Sequence, residues 1–165
     1  MAKFEDRVAQ IQAEWSRERP ELDTSAMGVI GRLHRLAAHL TDELTAEYRR
    51  HGLAEGDFDV LAALRRAGAP FELSAGQLAE STMITTGGMT KRLDRLEKAG
   101  LVTRRPSEAD GRGRVIGLTP HGREVIDAAV TAHTANEQRL LAQVPERDRA
   151  SLEAALAAWL AHYES

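Results

Sequence analysis

Apolar residues in the first third of the chain recur three or four positions apart, which is the spacing of an α-helix. They predict a short helix over residues 3–17 and, after a break at Pro20, a longer helix from about Ser25 to Arg50. Gly52 is a suitable C-terminal stop for the second helix. The first apolar stripe is Phe4, Val8, Ile11 and Trp15, and the second is Ile30, Leu33, Ala37, Leu40 and Leu44.

The middle of the chain predicts three shorter helices. The first covers residues 58–67, with Asp57 as its N-cap. The second begins at Ser74 and Gln77, which have the spacing of a capping box. The third covers residues 86–99 behind a threonine cap, and its inward positions are all apolar. Those inward positions are Met89, Leu93 and Leu96.

The pattern then changes from the period of a helix to that of a strand. Residues 101–105 and 114–119 suit two strands, and the loop between them is rich in Pro, Ser, Asp and Gly. Thr119 followed by Pro120 is typical of a helix start, and this helix is expected to run to about residue 142. A last helix opens at Pro145, and its apolar stripe is Leu152, Leu156, Trp159 and Tyr163. This order predicts a mainly α-helical chain with a two-stranded β-wing, that is, a winged helix-turn-helix.

The distribution of charge changes what the net charge implies. The 165 residues carry a formal net charge of −3, which alone argues against a nucleic-acid partner. However, residues 74–123 hold nine Lys/Arg and five Asp/Glu, whereas residues 1–60 hold eight and twelve, and residues 124–165 hold three and seven. The middle is therefore a candidate polyanion-binding module between acidic flanks; uneven solvated faces are the alternative.

The composition of the chain and the absence of certain motifs argue against several other functional classes of protein. The chain has no cysteine, which excludes a disulfide framework, a thiolate metal site and a thiol redox sensor. It contains no motif typical of an enzyme, and its scattered histidines predict neither a metal site nor a cofactor. The charged N-terminal residues are unlike a signal peptide, and no apolar run is long enough for a membrane span, so we expect a cytoplasmic protein.

The predicted helix-turn-helix identifies candidate DNA contacts. Its second helix would enter the major groove, where hydroxyls and cations on the outward side can reach bases or phosphates: Thr85, Thr86, Thr90, Lys91 and Arg95. In the wing loop, Arg112 stands between glycines and can enter a narrow minor groove, with Asp110 orienting it. A surface turn with an incidental ion pair is the alternative for that loop. The further phosphate-contact candidates are Ser74, Gln77, Arg105 and Arg114.

The chain resembles the MarR family of bacterial transcription regulators. The resemblance is carried by Arg92-Leu93-Asp94-Arg95-Leu96-Glu97-Lys98-Ala99-Gly100-Leu101-Val102, then Arg104, Asp110, Arg112, Leu118-Thr119 and Gly122. It implies a homodimer on a palindromic operator in double-stranded DNA. In that arrangement, residues 1–52 would supply dimerisation helices and one side of a ligand pocket. Residues 53–120 would form the DNA-binding domain, and residues 121–165 the C-terminal dimerisation helices.

The N-terminal segment is similar to a narrower branch of this family. Trp15, followed by Arg19-Pro20-Glu21-Leu22-Asp23 and then Gly31-Arg32-Leu33, resembles the urate-responsive PecS-like and TamR-like regulators. That likeness implies a small anionic effector, urate or another metabolite, bound by Trp15, Asp59, Arg92 and Arg104. A stacking ring and guanidinium forks suit a flat anion. Alternative roles are helix packing for Trp15 and a phosphate contact for Arg104. Asp59 could instead be a solvated helix residue or a structural partner of Arg92.

The function expected from these patterns is a homodimeric repressor that a small anionic or aromatic ligand releases from its operator. The alternative is a winged-helix module that binds a protein and no DNA. Salt dependence separates the two, because each displaced phosphate contact contributes roughly −0.9 to the log–log slope of DNA binding.

Overall fold

The structure is a computed structural model that describes residues 6–82, 88–107 and 113–164. The chain divides into two compact units, Met1–Glu43 and Leu44–Ser165. The elements in chain order are α1 (Arg7–Glu18), α2 (Met27–Arg50), α3 (Glu55–Arg66), β1 (Glu72–Ser74), α4 (Ala75–Ser81), α5 (Met89–Lys98), β2 (Val102–Pro106), β3 (Arg114–Leu118), α6 (Pro120–Leu141) and α7 (Glu146–Leu160).

In the first unit, α1 packs on the beginning of α2. Asp6 caps α1 by accepting a hydrogen bond from the backbone N–H of Ala9, at 2.9 Å. The same carboxylate pairs with Arg32 of α2, whose Nε lies 2.7 Å from Oδ2. Val8 is buried, and a Cβ on Gly31 would lie 3.2 Å from its methyl group. A glycine on α2 therefore brings the two helices close together.

The core of the second unit is built around α3. Eight of its twelve residues are buried. Leu61 and Leu64 are fully buried, as expected from the apolar spacing of this segment. The confirmed inward face of α5 also enters this core, because Met89, Leu93 and Leu96 are all buried. The other elements contribute Leu78 from α4, Val102 from β2, Ile116 from β3 and Ile126 from α6.

The sheet has three strands rather than the two that the sequence predicts. The order is β1-β3-β2, and both pairs are antiparallel. The two predicted strands form β2 and β3, with Arg104 opposite Ile116. The third strand, β1, pairs Leu73 with Ile116 across the other edge of β3. Three residues are too few to show a periodic pattern, so this strand could be found only from its long-range partner.

Two predicted helix starts, at Ser74 and Thr119, are confirmed, and two are wrong. The threonine cap predicted for α5 is one of the wrong ones, because α5 begins at Met89 with Gly88 as its N-cap. Ser74 and Gln77 form the predicted capping box of α4. Thr119 caps α6 with Pro120 in its first turn. Asp57, however, is not an N-cap, because α3 begins at Glu55 and Asp57 is its third residue. There its Oδ2 accepts a hydrogen bond from the backbone N–H of Ala54 at 3.0 Å, so its carboxylate still serves this helix terminus.

A tight joint connects α5, β2 and α6. Gly100 ends α5 with φ of +70°, and the N–H of Leu101 donates to Leu96 O at 2.9 Å. Thr119 Oγ1 lies 2.7 Å from the carbonyl oxygen of Gly100. A Cβ on Gly122 would lie only 1.9 Å from the carbonyl oxygen of Leu101, so this position requires glycine. This joint therefore holds the wing strands β2 and β3 against α5 and α6, and it is built from the motif residues Gly100, Leu101, Thr119 and Gly122.

The last helix differs from the rest of the second unit. None of the fifteen residues of α7 is buried. Its apolar stripe is in place but exposed, with Leu152, Leu156, Trp159 and Tyr163 all among the exposed large hydrophobic residues.

Among the described residues, no helix has the length and apolar character to cross a membrane.

Candidate DNA-binding surface

Two short helices, α4 and α5, present the surface predicted to read DNA. Ser74 and Gln77 are engaged at the start of α4, where the N–H of Ser74 donates to Gln77 Oε1 at 3.0 Å and the N–H of Gln77 donates to Ser74 Oγ at 3.2 Å. At α5, three buried apolar side chains fix which side faces outward. Thr90 and Lys91 are exposed on that outward side. Thr85 and Thr86 lie outside the described residues.

Arg95 faces α3 and pairs with Asp57. Its Nε lies 3.1 Å from Oδ2 of Asp57, and its Nη2 contacts Oδ1. The carboxylate is almost fully buried, whereas half of the arginine side chain is exposed. This pair joins α5 to the start of α3. A groove contact was predicted for Arg95 from the sequence, but no local pattern indicates Asp57 as its partner.

Arg104 faces a different flank of α5. From the centre of β2, its Nη2 lies 2.6 Å from Oδ1 of Asp94, and its Nε lies 2.8 Å from Oε2 of Glu97. The hydrogen bond from Arg104 holds the pKa of the Glu97 carboxyl below its usual range. Asp94 and Glu97 are three residues apart, so they share one helix face. Their spacing was visible in the sequence, but the partner on β2 was not.

The remaining candidates lie along the sheet. Nη2 of Arg105 lies 2.8 Å from Oε2 of Glu72, which links β2 to β1. Arg114 is exposed at the first residue of β3. Asp110 and Arg112, the predicted minor-groove residues, lie outside the described residues.

Two of the four predicted ligand residues, Asp59 and Arg92, are close enough to affect each other electrostatically. Burial raises the pKa of the Asp59 carboxyl, and the charge of Glu55 raises it further, while the charge of Arg92 opposes both. The Arg92 guanidinium packs against Gly56, where a Cβ would lie 2.1 Å from Nε. Within the described residues, Nη1 of Arg92 is buried and has no hydrogen-bond partner.

Of the other two ligand candidates, Arg104 lies away from Arg92, and Trp15 belongs to the other unit. Arg104 contacts Asp94 and Glu97, which lie on the opposite flank of α5 from Arg92, because successive residues of a helix turn by about 100°. Trp15 belongs to the first unit, where its side chain is partly exposed. The ligand role of the four-residue set therefore stays a prediction.

A cavity of about 490 Å³ lies between α3 and α6. Phe58 and Val130 supply apolar walls, and Arg65, paired with Asp127 at 2.6 Å, supplies a charged one. Phe58 stacks on Tyr48, and burial raises the pKa of the Tyr48 hydroxyl to about 12. Among residues 6–82, 88–107 and 113–164, no group of His, Cys, Asp or Glu has the arrangement of a metal site.

Comparison with known proteins gives one consistent family. The model of the MarR family matches residues 51–113. The chain is 38% identical over 156 residues to the HTH-type transcriptional regulator PecS of Dickeya dadantii, a match that covers 94% of this chain and 93% of PecS. Both the family and this relative are transcriptional regulators and not enzymes, which excludes the enzyme class.

Solved structures agree on the fold. AbsC, a MarR family transcriptional regulator from Streptomyces coelicolor, matches with a TM-score of 0.74 at 26% identity, over 87% of this chain and 97% of AbsC. Sco3205 from the same organism, a MarR family regulator solved in complex with DNA, matches with a TM-score of 0.72 at 23% identity, over 85% of this chain and 89% of its own. The fold and the full-length relative lead to one conclusion: the chain belongs to the MarR family of DNA-binding transcriptional regulators.

Proposed function

We propose that the chain is a cytoplasmic, homodimeric repressor that binds a palindromic operator in double-stranded DNA and is released by a small anionic ligand. The observation that carries this proposal is the division of α5 into two sides. Met89, Leu93 and Leu96 anchor it in the core, while Thr90 and Lys91 are exposed on the opposite side. A helix held in this way can present polar and cationic side chains to a groove without losing its own packing.

In this proposal the contacts divide by type. Thr85, Thr86, Thr90, Lys91 and Arg95 would face the major groove, and Arg112 would enter the minor groove with Asp110 beside it. Ser74, Gln77, Arg105 and Arg114 would contact phosphates. The ion pair with Asp57 supports a fixed direction for Arg95, because a guanidinium held on one side loses less freedom when it binds.

The exposed stripe of α7 supports dimerisation. Leu152, Leu156 and Trp159 lie one helical turn apart, and each has more than a third of its surface exposed. Large apolar side chains in a row are typical of a surface that another molecule covers. A second copy of the chain would place two reading helices on two half-sites about 10 bp apart, or a multiple of that spacing.

Asp59 and Arg92 support a site for a small anion. A buried guanidinium nitrogen without an acceptor is costly, and an anionic ligand would supply that acceptor. The same anion would repel the Asp59 carboxylate. Displacement of Asp59 would then push on α5, the helix that carries Arg92. Trp15 and Arg104 are the two other residues proposed for ligand binding; Arg104 would have to leave Asp94 and Glu97 to reach the same anion. We propose that the bound anion favours a spacing of the two DNA-binding domains that no longer fits the operator.

A mobility-shift assay tests these points together. The probe is duplex DNA from immediately upstream of the chain's own coding sequence, challenged with urate, purines, salicylate and citrate. We expect a shifted complex that one of these anions dissolves. Trp15→Ala and Asp59→Asn should bind the probe normally but respond less to that ligand, whereas Arg112→Ala should weaken the complex itself. A chain that binds a protein but no duplex DNA would overturn the proposal.

A further inference from the structure

Arg104 forms a bridge between the wing and the reading helix. It lies at the centre of β2, and its guanidinium reaches two carboxylates on α5, those of Asp94 and Glu97. Only 23% of the Arg104 side chain is exposed, whereas its partners Asp94 and Glu97 are 58% and 41% exposed. The arginine is therefore held between strand and helix rather than extended into solvent.

The two carboxylates are the acidic exceptions on a basic helix. α5 carries Lys91, Arg92, Arg95 and Lys98 together with Asp94 and Glu97. Asp94 lies one turn after Lys91, on the outward side of the helix. Near DNA, both carboxylates would face phosphate charge at short range, where like charges repel. A guanidinium between them reduces the local charge of this cluster from −2 to −1.

The same bridge fixes geometry. The end of β2 leads into the wing loop, which carries the predicted minor-groove residue Arg112, while α5 carries the major-groove candidates. A guanidinium presents its N–H groups in a rigid planar fork, so it can hold two acceptors at a set separation. Lysine has no such fork and would hold the pair less firmly.

We propose, on the basis of the proposed function, that Arg104 is a positioning residue for DNA binding that locks the wing onto the reading helix and neutralises Asp94 and Glu97 at the DNA surface. It acts without itself contacting DNA. This role differs from a ligand contact, because it requires Arg104 for operator binding when no ligand is present. It also differs from a phosphate contact, because it depends on the two carboxylates.

The test is a rescue experiment on duplex DNA from the chain's upstream region, followed by fluorescence anisotropy. Arg104→Met keeps much of the side-chain length but loses the charge, and we expect its Kd to rise tenfold or more. Adding Asp94→Asn and Glu97→Gln to that variant removes the uncompensated charges, and we expect most of the affinity to return. Arg104→Lys should fall between the wild type and Arg104→Met.

Arg50→Met is the matched control, because it removes one positive charge from a side chain that pairs with Glu47 on α2. We expect it to bind the duplex almost as the wild type does. If Arg104 contacts phosphate directly, the carboxylate changes will not restore affinity, and the salt slope of Arg104→Met will fall by about 0.9. That result, or an unchanged Kd for Arg104→Met, overturns the proposal.

Hydrogen–deuterium exchange supplies a readout that needs no DNA. Loss of the bridge should increase exchange of the amides of α5 and β2 in Arg104→Met, while the circular dichroism spectrum stays that of a folded chain. Unchanged exchange would overturn the locking role even if the wild type bound no DNA. Absence of DNA binding by the wild type would instead overturn the proposed function, so the two failures are distinguishable.

Discussion

The winged lobe, which consists of α3 to α6 and the sheet, and the last helix, α7, use their apolar residues in opposite ways. α3 buries eight of its twelve residues, and Leu61 and Leu64 have no exposed surface. α7 has fifteen residues and buries none, although Leu156 and Trp159 are as apolar as the residues of the core. The winged lobe is therefore stabilised by apolar contacts within its own core. The stripe on α7 has the character of an interface, which is why we assign it to a second copy.

The largest effect is expected from a cavity in the lobe. Leu61→Ala removes a fully buried side chain, and such changes cost about 2–5 kcal/mol of unfolding free energy. Leu22→Ala makes the same truncation at a side chain that is 45% exposed, and we expect a loss below about 1 kcal/mol. Urea denaturation followed by circular dichroism measures both. Equal losses would mean that the core is not where the lobe gains its stability.

A smaller loss is expected where α6 meets the end of α5. In Gly122→Ala the new Cβ would lie 1.9 Å from a backbone oxygen, and overpacking of this kind costs about 1–3 kcal/mol. Gly76→Ala is the matched control, because a Cβ there meets only Ser74 Oγ at 3.9 Å. We expect that change to be neutral or slightly stabilising, since alanine favours helix. The same urea titration compares them.

Substitutions in the apolar stripe of α7 should change dimerisation rather than folding. Leu156→Asp places a charge among apolar residues, so sedimentation velocity should show a shift from dimer to monomer, with helix content maintained. Ser151→Asp introduces the same charge on the same helix but off the stripe, and we expect it to remain dimeric. If both variants sediment as the wild type does, α7 is not the interface.

The smallest effect is a pH dependence in the first unit. The hydrogen bond from Arg32 and the N–H of Ala9 lower the pKa of Asp6. A lowered folded-state pKa stabilises the fold above the unfolded value of about 3.9, and that contribution is lost as pH falls through the folded value. Asp6→Asn keeps a capping oxygen but no charge. The melting temperatures of wild type and variant should therefore differ at pH 7 and converge near pH 2; a constant difference would contradict this assignment.

These results also show which features could be predicted from the sequence. The inward face of α5, the capping box at Ser74 and the start of α6 at Thr119 depend on neighbours within a few residues, and all three were predicted correctly. β1 and the partners of Arg95 and Arg104 depend on residues that are 7 to 45 positions away, and no periodic pattern encodes them. The stripe on α7 was also predicted, but its exposure depends on how the other helices fill the core.

The central claim is that this chain binds double-stranded DNA through α5 and the wing. A titration of wild type against its upstream duplex, repeated from low to high salt, tests it most directly. We expect two chains per site and a steep fall in affinity, with each phosphate contact contributing roughly −0.9 to the log–log slope. Lys91→Ala should bind more weakly and with a shallower slope. A flat dependence on salt, or no binding at any salt concentration, would contradict the claim.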